Sequence, residues 1–193
     1  MKIVLASQSP RRRELLARMG IEKFEICPAP GEECAPKGLT PDRLVEALSR
    51  DKATQVSALY GADDVIIAAD TVVAVDGQVL GKPRSRQEAV EMLTLLSGRS
   101  HAVYTGVTVC RGDRMLTQHE RTQVTFRTLT SAEIEAYVDT DEPMDKAGSY
   151  GIQGLGCVLV QGIEGDYYNV MGLPVCRLTL MLRALGVEIL TRE

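Results

Sequence analysis

Lys2-Ile-Val-Leu-Ala-Ser7-Gln-Ser9-Pro10-Arg11-Arg12-Arg13 carries an apolar strand through a hydroxyl-rich turn into a helix whose first turn holds three arginines. A helix N-terminus presents unpaired N–H groups and about half a positive charge, so arginines there are disfavoured unless something anionic offsets them. Ser9 suits the N-cap and Pro10 the first helical position, while Leu15, Leu16 and Met19 supply an apolar stripe that stops at Gly20. The segment therefore reads as a phosphate-binding strand–turn–helix, with a solvated basic patch as the bland alternative.

The bulk of the chain narrows the partner. With 193 residues, 45% hydrophobic and 25% charged, it has the composition of a globular protein of one large or two small domains. A formal net charge of -4 argues against general nucleic-acid binding, so local basic clusters serve a small anion. Five scattered cysteines without a C-x-x-C pair suggest neither a disulfide framework nor a zinc site, and fit a reducing cytosol. No apolar run approaches the roughly 18 residues needed to span a bilayer, and Met1–Ala6 lacks a secretory core, so a cytoplasmic protein away from membranes is expected. His101 and His119 are the only histidines and read as structural or surface residues. Chemistry must come from carboxylates, lysines and arginines.

Moving outward, Phe24–Cys27 reads as a short strand and the following proline-rich stretch through Pro36 as a loop. Thr40-Pro41 opens a helix to about Leu59, with Leu44, Val45, Leu48 and Val56 inward and Lys52 off that stripe. Val65–Asp70 is an apolar run typical of a strand buried on both faces, ending in a carboxylate. Thr71–Val75 and Gln78–Leu80 flank Asp76-Gly77, the preferred pair for a type I′ hairpin, which delivers Gly81-Lys82-Pro83. Ser85…Glu88 and Thr130…Glu133 are capping boxes opening two further helices. His101–Cys110 and Met115–Leu129 alternate as long antiparallel strands around Arg111-Gly-Asp113. In Asp145–Gly156, four glycines fall within nine residues, Gly148 to Gly156, which implies close backbone approach or left-handed turns and suggests a ligand loop. Cys157–Ile163 reads as a strand, and Asn169–Pro174 leads into a last helix with Val175, Leu178, Leu182 and Leu185. Together these predict an α/β fold: a mixed, twisted sheet with flanking helices, splayed into two lobes around a cleft.

No Walker pattern and no G-x-G-x-x-G after the first strand occur, so neither P-loop phosphoryl transfer nor dinucleotide binding is supported. What remains is a cationic set (Arg11, Arg12, Lys52, Lys82, Lys146) and a set of loop or strand-end carboxylates (Glu33, Asp70, Asp145). Arginine forks grip phosphates, and hard cations bind one or two carboxylates plus phosphate oxygens. That inventory suits metal-assisted phosphate chemistry.

Six motifs in register then carry a resemblance: Ser7-x-Ser9-Pro10-Arg11-Arg12, Ala69-Asp70-Thr71, Gly81-Lys82-Pro83, Leu96-Ser97-Gly98, Asp145-Lys146-Ala-Gly148-x-Tyr150-Gly151-Ile152-Gln153-Gly154, and Gly172-Leu173-Pro174. In this order, over nearly the whole chain, they resemble the Maf (septum-formation-inhibitor) family of nucleoside triphosphate pyrophosphatases. The resemblance implies an inosine-triphosphatase-like (Maf/Ham1) fold as a single two-lobed domain over residues 1–193, often as a homodimer. It also implies a divalent metal cation, Mg²⁺ or Mn²⁺, and hydrolysis of a nucleoside triphosphate to the monophosphate and pyrophosphate. Carried over by position, Asp70 becomes the proton acceptor and a metal ligand. Arg11, Thr71 and Gln153 become the substrate-selecting positions. Ser7, Ser9, Arg12, Lys52, Lys82 and Glu33, with Glu32 as the alternative to the last, line the phosphate and metal site. The Gly-Ile-Gln-Gly form of the loop resembles members acting on dTTP and UTP, and a glutamine amide can pair with a pyrimidine edge that bears both a donor and an acceptor. The alternatives are the same chemistry on 7-methyl-GTP or another nucleotide, and a nucleotide-binding regulator of division with incidental catalysis.

Overall fold

The computed structural model describes residues 1–31 and 38–189, so Glu32 and Glu33 lie outside the described residues. Ser9 caps helix α1 (Pro10–Arg18), its side chain accepting from the Arg12 N–H, and no acidic residue occupies the first turn. Gly20, at φ 85°, turns the chain left-handed after the helix while Ile21 donates back to the Leu16 carbonyl at 3.1 Å. The expected strand at Phe24–Cys27 is the two-residue β2 (Glu25–Ile26), and α2 spans Pro41–Ser57.

Among the described residues, seven strands form one mixed sheet in the order β2-β1-β3-β5-β6-β7, with β4 paired to β3. β1 (Ile3–Leu5) lies parallel to both β2 and β3 (Val65–Val75), with Val4 opposite Ile66. β3 and β4 (Gln78–Leu80) make the expected hairpin, in which Asp76 at φ 50° and Gly77 at φ 78° adopt the left-handed conformations of a type I′ turn. β5 (Ser100–Arg111) and β6 (Arg114–Phe126) are neighbours, and β6 pairs antiparallel with β7 (Val160–Glu164). The flanking helices are completed by α3 (Arg86–Leu96), α4 (Ser131–Val138), α5 (Tyr167–Met171) and α6 (Val175–Ala184).

The chain divides into two compact units. The first comprises Met1–Asp70, Thr105–Glu120 and Gly172–Glu193. Its core joins Val4, Ala6, Ile66 and Ala68 of the strands to Ala53 and Val56 of α2 and to Cys110 of β5. Helix α2 passes so close to β5 that a Cβ on Gly106 would fall on the backbone carbonyl of Val45. The second unit comprises Thr71–Tyr104 and Arg121–Met171. Its core packs Val73, Leu93, Leu96, Phe126, Ile134, Val138 and Leu159, together with an edge-to-face trio of His101, Phe126 and Tyr150. His101 donates or accepts at Nε2 with the Tyr150 hydroxyl at 2.8 Å, and burial lowers its pKa to about 4.

Three expectations are corrected. β3 does not end at Asp70: it runs unbroken for 11 residues, because the β-branched run resumes at once with Thr71-Val72-Val73 and the strand stays covered on both faces. The strand expected over Cys157–Ile163 begins only at Val160, since Leu155–Leu159 coil into a 3-10 turn whose first N–H groups are capped by Glu142. The stretch before the last helix holds the separate helix α5, anchored by the buried Asn169, whose amide donates to the Val103 carbonyl at 3.1 Å and to Thr122 at 3.0 Å.

Candidate functional site

In the first unit the β1–α1 turn is tied by its own hydroxyls. The Ser7 hydroxyl oxygen accepts from the Ser9 N–H at 3.2 Å and from Arg12 Nη1 at 3.1 Å. The Arg12 guanidinium folds back from the helix start rather than facing water. Nη1 also donates to the Ala69 carbonyl at 2.8 Å, and Nε donates to the Gly172 carbonyl at 2.8 Å. One fork thus ties the β1–α1 turn to the residue before Asp70 and to the entry of the Gly172-Leu173-Pro174 segment. Arg11 is half-buried beside it, while Arg13 is exposed, as a solvated surface charge should be.

Asp70 meets Lys52. The ammonium of Lys52, midway along α2, donates to Asp70 Oδ1, and the two side chains are 13% and 12% exposed. Ser49, Ala53 and Val56 bury the neighbouring face of α2, which fixes the rotation of the helix and aims Lys52 at β3. Of the predicted residues, the structure therefore brings together Ser7, Ser9, Arg12, Lys52 and Asp70 through the β1–α1 turn, α2 and β3. The Asp70 carboxylate presents hard oxygen atoms, the donor type that divalent cations such as Mg²⁺ take. Among the described residues, no group of three or more His, Cys, Asp or Glu side chains could hold a metal.

The second unit holds Thr71, Lys82, Lys146 and Gln153. Lys82 and Gln153 are exposed and Thr71 is half-buried. The Gly81 carbonyl accepts from the Gly148 N–H at 3.0 Å, which joins the Gly81-Lys82-Pro83 segment to the glycine-rich loop. Lys146 is committed inside that loop: its ammonium donates to the Glu142 backbone carbonyl and to the Asp145 carboxylate, each at 2.6 Å. The glycines serve close packing within the protein. A Cβ on Gly148 would strike Val73, and one on Gly156 would strike the Tyr137 hydroxyl.

Two residues that the sequence reading passed over organise this loop. The Glu142 carboxylate accepts from the N–H groups of Leu155 at 2.8 Å and Gly156 at 3.1 Å and from the Tyr137 hydroxyl at 2.8 Å. Burial pushes its pKa up, but those N–H and O–H donors, with Lys146 nearby, outweigh burial and leave it below the usual carboxylate value. Nothing in the spacing marks Glu142, which looks like any acidic residue before a proline. The glycines were the available signal, since their missing side chains leave the room that Glu142, Tyr137 and Lys146 fill.

A family model described as Maf-like protein matches residues 2–185. The chain is 53% identical over 191 residues to the dTTP/UTP pyrophosphatase of Moorella thermoacetica, covering 97% of both chains. It is 48% identical over 188 residues to the dTTP/UTP pyrophosphatase of Bacillus cereus strain AH187, again covering 97% of each. In fold it is similar to a HAM1 protein from Coxiella burnetii, with a TM-score of 0.50 and 15% identity over 95% of this chain and 99% of that one.

Proposed function

The chain belongs to the family of Maf-like proteins, and on that footing we propose that it is a nucleoside triphosphate pyrophosphatase acting on dTTP and UTP. Water adds to the α-phosphorus, the bond from that phosphorus to the bridging oxygen breaks, and the products are the nucleoside monophosphate and pyrophosphate. The observation that carries this reading is the Lys52–Asp70 pair beside the β1–α1 turn. A carboxylate held by a cation on one oxygen is oriented, and can take the proton that the attacking water loses. Lys52, Arg11, Arg12, Ser7 and Ser9 offer donors for phosphate oxygens, whose growing negative charge such groups stabilise.

Asp70, with Glu33 outside the described residues, would hold a divalent cation such as Mg²⁺ or Mn²⁺; the oxygen-only donor set fits a hard ion, though Asp70 is the one described member. Bound there, the ion would polarise phosphate oxygens. Thr71 and Gln153 carry base selection in this reading, and Lys82 and Lys146 add positive charge. Four described cysteines with free thiols accord with a cytoplasmic setting, and we place a homodimer and modified pyrimidine nucleotides within the same reading.

The test is product analysis. Purified protein with Mg²⁺ or Mn²⁺ should convert UTP and dTTP to the monophosphates and pyrophosphate by ³¹P NMR. Formation of UDP and orthophosphate would contradict the reading, and so would tight binding with the nucleotide recovered intact.

A further inference from the structure

The segment Gly151–Gly156 has no strand ladder or helix of its own until the 3-10 turn at Leu155, yet it is gripped on both sides of Gln153. Before Gln153, the Gly151 N–H donates to the Tyr137 hydroxyl oxygen at 3.1 Å, and Ile152 packs against the core of its unit. After it, the Leu155 and Gly156 N–H groups donate to the two oxygens of Glu142. The Tyr137 hydroxyl that accepts from Gly151 itself donates to Glu142 Oε1, so both grips converge on one carboxylate. Gly154 lies against that carboxylate so closely that any Cβ there would collide with it. Gln153, by contrast, is exposed.

We propose that Glu142 is a specificity-positioning residue: its carboxylate caps the turn after Gln153 and, through Tyr137, the backbone before it, and so fixes the direction in which the Gln153 amide is presented to the nucleobase. This rests on the reading above that Gln153 selects the base. An amide discriminates between base edges only if its donor and acceptor are held in register, because a site whose polar groups can swing finds a partner on the wrong base as well. Glu142 touches no reacting atom in this account, and Lys146, donating to its backbone carbonyl, serves the same scaffold.

The experiment compares kcat/KM for dTTP and dCTP, which share sugar and triphosphate and differ in the base, at its pairing edge and by the 5-methyl group of thymine. The variants are Glu142→Gln, Glu142→Ala, Gln153→Ala and the Glu142→Ala/Gln153→Ala double. Gln153→Ala should narrow the dTTP:dCTP ratio roughly tenfold or more. Glu142→Ala should narrow it comparably, chiefly by raising the KM for dTTP with kcat retained. Glu142→Gln, which keeps one acceptor oxygen, should fall between it and the parent. The double variant should be no worse than Gln153→Ala alone, since both act through one side chain. Amide exchange at Leu155 and Gly156 should quicken in Glu142→Gln, a readout that survives if Glu142→Ala does not fold. If Gln153→Ala loses discrimination while both Glu142 variants keep it, or if they slow both nucleotides equally, the positioning role is overturned and base selection by Gln153 stands. If Gln153→Ala keeps the parent ratio, base selection by Gln153 fails and takes the positioning role with it.

Discussion

Lys52 on α2 and Asp70 on β3 form an ion pair with side chains 13% and 12% exposed. Two opposite charges so far withdrawn from water are stable as a pair and costly apart, because a lone partner keeps its desolvation penalty without compensation. Asp70→Asn retains an oxygen for Lys52 and should fold, yet lose the proton acceptor. We expect kcat to fall by about two to four orders of magnitude with KM changed little, as measured by steady-state pyrophosphate release. Full activity in that variant would remove Asp70 from the mechanism.

Lys52→Met leaves the carboxylate unpaired. It should lower stability by up to about 3 kcal/mol in urea unfolding and reduce kcat as well, since the carboxylate is no longer held in one orientation. A stability equal to that of the parent protein would mean that the pair is solvated in practice.

Arg12→Lys is not a conservative change here. The guanidinium donates from Nε to Gly172 and from Nη1 to Ser7 and Ala69, three acceptors lying in different directions that a single ammonium cannot reach together. Loss of about 1–3 kcal/mol of stability is expected, together with a reduced kcat, because the Ala69 carbonyl precedes Asp70. Thermal melts and kinetics of Arg12→Lys and Arg13→Lys side by side check this: the exposed Arg13 should tolerate the exchange.

Gly106→Ala should be among the most destabilising single methyl additions in the first unit, since its Cβ would fall on the Val45 carbonyl, a backbone atom that cannot rotate away. The helix must shift outward, carrying Lys52 with it. A cost of about 1–3 kcal/mol in chemical denaturation is expected, with kcat reduced beyond the unfolded fraction.

His101 gives the fold a pH limit. It is 3% exposed, its Nδ1 has no partner among the described residues, and burial lowers its pKa from 6.5 to about 4. The unfolded chain takes up this proton below about pH 6.5 and the folded chain only near pH 4, so between those values the unfolded state binds more protons. Stability is therefore full well above pH 6.5 and falls as the pH drops towards 4, by about 3 kcal/mol from this group. Urea titrations at pH 7, 6, 5 and 4 should show that decline, and His101→Gln should flatten it.

What the sequence disclosed followed from local chemistry. Ser9-Pro10, Ser85…Glu88, Thr130…Glu133 and Asp76-Gly77 each specify a boundary through their own backbone hydrogen bonding or φ angles, and each stands where expected. Errors arose where distant residues decide. The 3-10 turn at Leu155 replaces the start of a strand because a carboxylate 13 residues earlier caps it, and β3 continues past Asp70 because both its faces are covered. The same split applies to the site. The capped strand–turn–helix that holds Ser7, Ser9 and Arg12 is legible from Ser9-Pro10 alone, whereas the pairing of Lys52 with Asp70 depends on how α2 rotates against β3, which periodicity alone does not reveal. Arg12 also proved to hold the protein's own carbonyls, which explains how an arginine tolerates the positive end of α1.

Turnover of dTTP or UTP in H₂¹⁸O with Mg²⁺, followed by mass spectrometry of both products, locates the phosphorus that the water attacks. Attack at the α-phosphorus leaves one ¹⁸O in the nucleoside monophosphate and none in the pyrophosphate. Label in the pyrophosphate would contradict it, because the water would then have attacked the β-phosphorus.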